Sequence, residues 1–92
     1  MTPELIEQVV FHFGAKNQII KAVEEMSELQ KELCKIVFTA LPYEELDKKS
    51  IIDELADVEI MCAQLRHIFG IPDQVDKRKE FKIERLKQRI NQ

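Results

Sequence analysis

A chain of 92 residues, 45% hydrophobic and 34% charged, is sized for one domain and is too short to bury a large core alone. No apolar run approaches the roughly 18 to 20 residues of a membrane span, which excludes a helical membrane protein. The formal net charge of −3 and the lack of any recognised binding motif argue against nucleic acid as the partner.

Pro3 after Thr2 reads as the first residue of a helix behind its N-cap, and Leu5, Ile6, Val9, Val10 and Phe13 make that helix amphipathic up to about Gly14. The segment carries Glu4 and Glu7 and no basic stretch, so it does not have the pattern of a signal peptide. A second helix is expected from about Lys16 to about Thr39, with an apolar stripe of Ile19, Val23, Met26, Leu29, Leu33, Ile36 and Val37. Pro42 interrupts the pattern, and 41–50 reads as a connection. A third helix is expected over about Ser50 to Phe69, with Glu44 as its earliest start. Its stripe is Ile51, Leu55, Val58, Met61, Cys62, Leu65 and Phe69. Gly70, Ile71 and Pro72 form a helix stop, and Asp73 can cap a fourth helix from about Gln74 to Ile90. The apolar set of that helix, Phe81, Ile83, Leu86 and Ile90, is weak.

There is no strand alternation, repeat or low-complexity segment. The expectation is a single all-α domain over residues 1–92: a bundle of about four helices around two long central antiparallel ones. The outer helices offer little apolar surface to cover that pair, so dimerisation is expected to complete the bundle. Cys34 and Cys62 form no CxxC pair and read as free thiols in a reducing cytosol, which makes the expected location cytoplasmic.

The chemistry is carried by acids. At about 100° per residue Glu54 projects into the apolar stripe of the third helix, where an unpaired carboxylate is costly. Asp57 lies one turn on, so the two can converge on one point. Glu25 borders the stripe of the second helix and Glu28 follows at the same spacing. Antiparallel packing would set all four face to face. A hard, oxygen-preferring divalent cation, Mg²⁺ or Mn²⁺, relieves their repulsion. No histidine or cysteine joins the set, which argues against structural zinc. Ordinary surface pairing, Glu28 with Lys31 and Glu32 with Lys35, competes with this reading, and Glu24 projects to the surface. The end of the chain is basic, with Lys77, Arg78, Lys79, Lys82, Arg85, Lys87 and Arg89 against Glu80 and Glu84.

Glu-Glu-Met-Ser-Glu-Leu at 24–29 and Asp-Glu-Leu-Ala-Asp-Val at 53–58 resemble the ExxE…ExxD signature of the MazG-like all-α nucleoside triphosphate pyrophosphohydrolases, and the short, phage-type or stand-alone members most. The resemblance runs from about Phe13 to Arg89. It implies Glu25, Glu28, Glu54 and Asp57 as Mg²⁺ ligands, with Glu25 or Glu28 as the catalytic group that activates water. The implied reaction is hydrolysis of a nucleoside triphosphate, ribo- or deoxyribo-, to monophosphate and pyrophosphate, as in cleaning of the nucleotide pool. Gln18 matches a glutamine that can contact the nucleotide, and Lys82, Arg85 and Arg89 match a phosphate-contacting segment. Dimers or tetramers with sites at the subunit contact are implied too. The chain departs from a strong base-stacking pattern. It has no tryptophan, and of the candidates Phe11, His12 and Phe13 the phenylalanines read better as core. Two alternatives stay open: phosphoribosyl-ATP pyrophosphohydrolase, and a non-catalytic helical interaction module whose acidic groove takes a basic partner.

Overall fold

Local signals set most of the element boundaries. The structure, a computed structural model, describes residues 1–92. Helix α1 spans Pro3–Phe13, α2 spans Ala15–Val37, α3 spans Lys49–Phe69 and α4 spans Pro72–Ile90, with a short 3-10 turn at Tyr43–Glu45 in the α2–α3 connection. Thr2 caps α1, its hydroxyl accepting from the Leu5 N–H at 3.1 Å, a device that contributes about 1 kcal/mol. Gly14 ends α1 and starts α2 at φ 91°, a conformation open to glycine. Asn17 then covers the end of α1 by donating from Nδ2 to the Phe13 carbonyl at 2.9 Å. Gly70 closes α3 in the expected left-handed conformation.

The start of α4 differs from expectation. Pro72, with its fixed φ, is already helical. Ile71 holds the N-cap position without a side-chain hydrogen bond, and Asp73 lies in the first turn, where its charge favours the helix N-terminus. Arg66 of α3 anchors this start, donating to the Pro72 carbonyl at 3.3 Å and to Asp76 Oδ1 at 2.7 Å.

The two long helices lie antiparallel and carry the main packing of the molecule. On α2 the residues Gln18, Ala22, Glu25, Leu29, Glu32 and Ile36 are buried or half-buried, and on α3 so are Ile51, Glu54, Val58, Met61, Leu65 and Ile68. Both sets advance in alternating steps of three and four, the spacing of a coiled-coil seam. This seam keeps Leu29, Ile36, Ile51, Val58, Met61 and Leu65 of the stripes read in the sequence and is rotated away from the rest. Val23 is 61% and Val37 72% exposed on α2, and Leu33, Leu55, Cys62 and Phe69 are exposed as well. Each long helix carries two apolar faces, and the pair meets through the one that includes amides and carboxylates.

Much apolar surface is thereby left bare. Ala22 and Met61 are the only buried hydrophobic residues, while Phe81, Ile83, Leu86 and Ile90 of α4 are all exposed. The accessible surface is 7624 Å², against about 5,500 Å² for a compact monomer of this mass. The radius of gyration is 16.4 Å, against about 12 Å for a compact chain of this length. No helix is long and apolar enough to cross a membrane.

Candidate functional site

The site grows out of the α2–α3 seam. Ala22, at 2% exposure, lets α3 approach closely, and Glu25 on the next turn is carried inside with it, to 7% exposure. From the facing helix come Glu54 and Asp57. One carboxylate oxygen from each of Glu25, Glu54 and Asp57 lies within 4.8 Å of the other two. Oε2 of Glu25 and Oε2 of Glu54 are both buried without a hydrogen-bond partner. Leaving a buried acceptor unpaired costs about 1–3 kcal/mol, and more for a charged one. Burial, followed by the charges of Glu28, Glu25 and Asp57, holds the Glu54 carboxyl above its ordinary value.

The four acids singled out in the sequence thus arrive as three and one. Glu28 is exposed and stands outside the three-oxygen cluster, but its charge bears on Glu54. Glu25 is the deeper of the two leading acids, the reverse of the sequence reading, because the rotated seam takes it inward. Of the surface pairs expected on α2, Glu32 with Lys35 forms at 3.0 Å and Glu28 with Lys31 does not. Lys21 instead reaches Glu25 Oε1 at 3.3 Å, and that contact raises the Lys21 ammonium above its ordinary pKa.

A groove of about 560 Å³ opens beside the cluster. Its charged lining is Lys21, Glu24, Glu25 and Asp57. Glu24, read from the sequence as plain surface, is exposed yet belongs to this wall. Asn17, Gln18 and Gln64 add amides, and Phe13, Ile20, Ile60 and Met61 add apolar surface. Gln18 is thus part of the wall of this groove. It donates from Nε2 to Oε1 of Gln64 at 2.6 Å, and Gln64 is only 3% exposed. Two amides sharing one hydrogen bond still offer one carbonyl oxygen and one NH₂ group to a third partner, whichever of them donates.

One sequence expectation changes here, and one group of residues stands apart from the groove of its own chain. Phe11 and Phe13 are not core: Phe11 is 90% exposed, and Phe13 lines the groove with the His12 ring edge-on to it at 4.6 Å. Both follow from the end of α1 lying over the α2–α3 pair instead of inside it. Lys82, Arg85 and Arg89 gather with Leu86 on α4 around a separate depression of about 250 Å³, and none of them lines the carboxylate groove. Helix α4 packs against α3 alone, which keeps them there.

An all-oxygen cluster with unpaired buried atoms suits a hard divalent cation, and the missing nitrogen and sulfur donors leave it unsuited to structural zinc. Comparison of the chain with family models, with curated proteins and with solved structures finds no match in any of the three.

Proposed function

We propose that this protein hydrolyses nucleoside or deoxynucleoside triphosphates to the monophosphate and pyrophosphate, using Mg²⁺ or Mn²⁺ held by Glu25, Glu54 and Asp57 with Glu28 beside them. The observation that carries the reading is Glu25. Its side chain is nine-tenths buried, has one oxygen without a partner and stands against two further carboxylates. Like charges in that position are tolerated when a cation joins them. A divalent ion there would supply positive charge to offset the phosphates.

The remaining roles fall to side chains. Glu28, exposed and with its charge bearing on Glu54, would orient a water molecule and take its proton, with Glu25 as the other candidate base. Phe13 offers a ring face or edge to a heterocycle, and the Gln18–Gln64 pair offers a donor and an acceptor. The acidic segments at 24–29 and 53–58, which resemble the MazG-like signature, support the same chemistry.

A homodimer or tetramer belongs to this proposal. Covering the excess of roughly 2,000 Å² per chain would give an interface of the obligate class. It would also let Lys82, Arg85 and Arg89 of one chain reach phosphates held by another.

The test is pyrophosphate release from a panel of ribo- and deoxyribonucleoside triphosphates, with Mg²⁺ and with EDTA. Metal-dependent release is expected, and Glu54→Gln should abolish it with helix content unchanged. Wild-type turnover by that variant would sink the assignment. Mg²⁺ binding without release across the panel would favour phosphoribosyl-ATP as substrate, and absence of both would favour the interaction module.

A further inference from the structure

The groove brings together acids, amides and apolar walls but only one cation, Lys21. Its Nζ lies 3.3 Å from Glu25 Oε1, while the other oxygen of that carboxylate is buried and unpaired. The two partners are unequally held. The Glu25 side chain is 10% exposed and that of Lys21 is 54% exposed. Lys21 is thus a mobile point charge on a flexible four-carbon stem, rooted one turn before a fixed carboxylate. A half-exposed ion pair of this kind is weak and exchanges readily.

A triphosphate entering the groove needs positive charge from the protein as well as from metal. Within one chain the basic side chains of α4 do not line this groove, whereas Lys21 does. We propose that Lys21 is the triphosphate-binding cation of the groove, pairing with Glu25 in the ion-free protein and turning to the phosphates once a divalent ion takes over that carboxylate. This rests on the metal-dependent reading given above. The same ammonium then opposes metal binding and favours phosphate binding. Removing its charge must shift the two affinities in opposite directions, which a lysine serving only as a surface partner of Glu25 would not do.

The experiment titrates Mg²⁺ alone, and then inorganic tripolyphosphate at saturating Mg²⁺, into wild type, Lys21→Gln and Lys21→Arg by calorimetry. For Lys21→Gln, Mg²⁺ should bind roughly two- to fivefold tighter, since a competing cation is gone. Tripolyphosphate should bind about tenfold more weakly, through loss of a charge-assisted hydrogen bond. Lys21→Arg should restore tripolyphosphate binding to near the wild-type level. Unchanged tripolyphosphate affinity in Lys21→Gln overturns the proposal, and so does weaker Mg²⁺ binding, which would make Lys21 a prop for Glu25. Failure of the wild type to bind Mg²⁺ brings down the metal reading and this proposal with it, whereas wild-type Mg²⁺ binding with no effect at Lys21 brings down this one alone.

Discussion

Glu25→Gln should make the metal-free protein more stable while removing its response to metal. Glu25 Oε2 is buried and unpaired, an arrangement that costs about 1–3 kcal/mol. Glutamine keeps the shape of the side chain, removes a charge from a cluster of three carboxylates, and can donate from Nε2 to Glu54 or Asp57, whose nearest oxygens are within 4.8 Å. Against this stands the lost ion pair with Lys21, whose exposed head makes it worth about 0–1 kcal/mol. The net gain is about 1–2 kcal/mol, and for a domain of this size each kcal/mol raises the melting temperature by about 4–8 °C. Thermal melts followed by circular dichroism at fixed protein concentration, in EDTA and in excess Mg²⁺, give four numbers. The wild type should rise with Mg²⁺, by about 2.7 kcal/mol of stability at a hundredfold excess over the dissociation constant. Glu25→Gln should start higher and stay flat. A variant that melts lower than wild type in EDTA, or that keeps the full rise with Mg²⁺, would refute the reasoning.

Three further outcomes follow from other parts of the molecule. The bare apolar faces of α2, α3 and α4 predict that sedimentation equilibrium finds a dimer or larger assembly and that the melting temperature rises with protein concentration; a monomer with a concentration-independent melt would contradict this. Arg66 holds the Asp76 carboxyl below its ordinary value, so the pair contributes fully above the unfolded-state pKa and is lost as pH falls through the lower folded-state value. Acid titration followed by circular dichroism should therefore show wild type losing stability below about pH 4 that Asp76→Asn, lacking the pair throughout, does not lose. Gly70→Ala meets no atom within 4 Å but must hold φ +64°, so it should cost about 1–2 kcal/mol in chemical denaturation from backbone strain alone.

Helix limits were legible wherever a residue has one dominant preference. Thr2 with Pro3, Gly14, and Gly70 followed by Pro72 mark limits of all four helices to within a residue or two. Asp73 misled because Pro72 serves equally well as a first helical residue, and it precedes the aspartate. The pairing of Glu54 with Asp57 was legible because three-residue spacing fixes a common face whichever way the helix is rolled, whereas the roll decides that Glu25 and not Glu28 joins them. The roll itself was not. Periodicity selects the most apolar stripe, but Val23, Leu33 and Leu55 belong to faces that α2 and α3 do not turn toward each other. Lys21 and Gln64 went unread for the same reason, although both left traces. Lys21 precedes Glu25 by one turn, and Gln64 follows Asp57 at the interval by which Gln18 precedes Glu25. The position of Lys82, Arg85 and Arg89 was beyond reach, since it depends on where α4 points after Arg66 has anchored its first turn.

The buried hydrogen bond between Gln18 and Gln64 has a consequence for alignment. Seven residues separate Gln18 from Glu25, and seven separate Asp57 from Gln64, so the amide contact and the carboxylate contact are two rungs of one ladder. A slip by one seam step of three or four residues would part the two amides and leave the apolar rungs in the seam. A slip by a whole heptad would keep them in, but it would set an amide opposite an acid and leave the other amide without its mate. The glutamines therefore work as a vernier for the helix pair: one hydrogen bond, two turns from the acids, sets the offset at which α2 and α3 bring their carboxylates level.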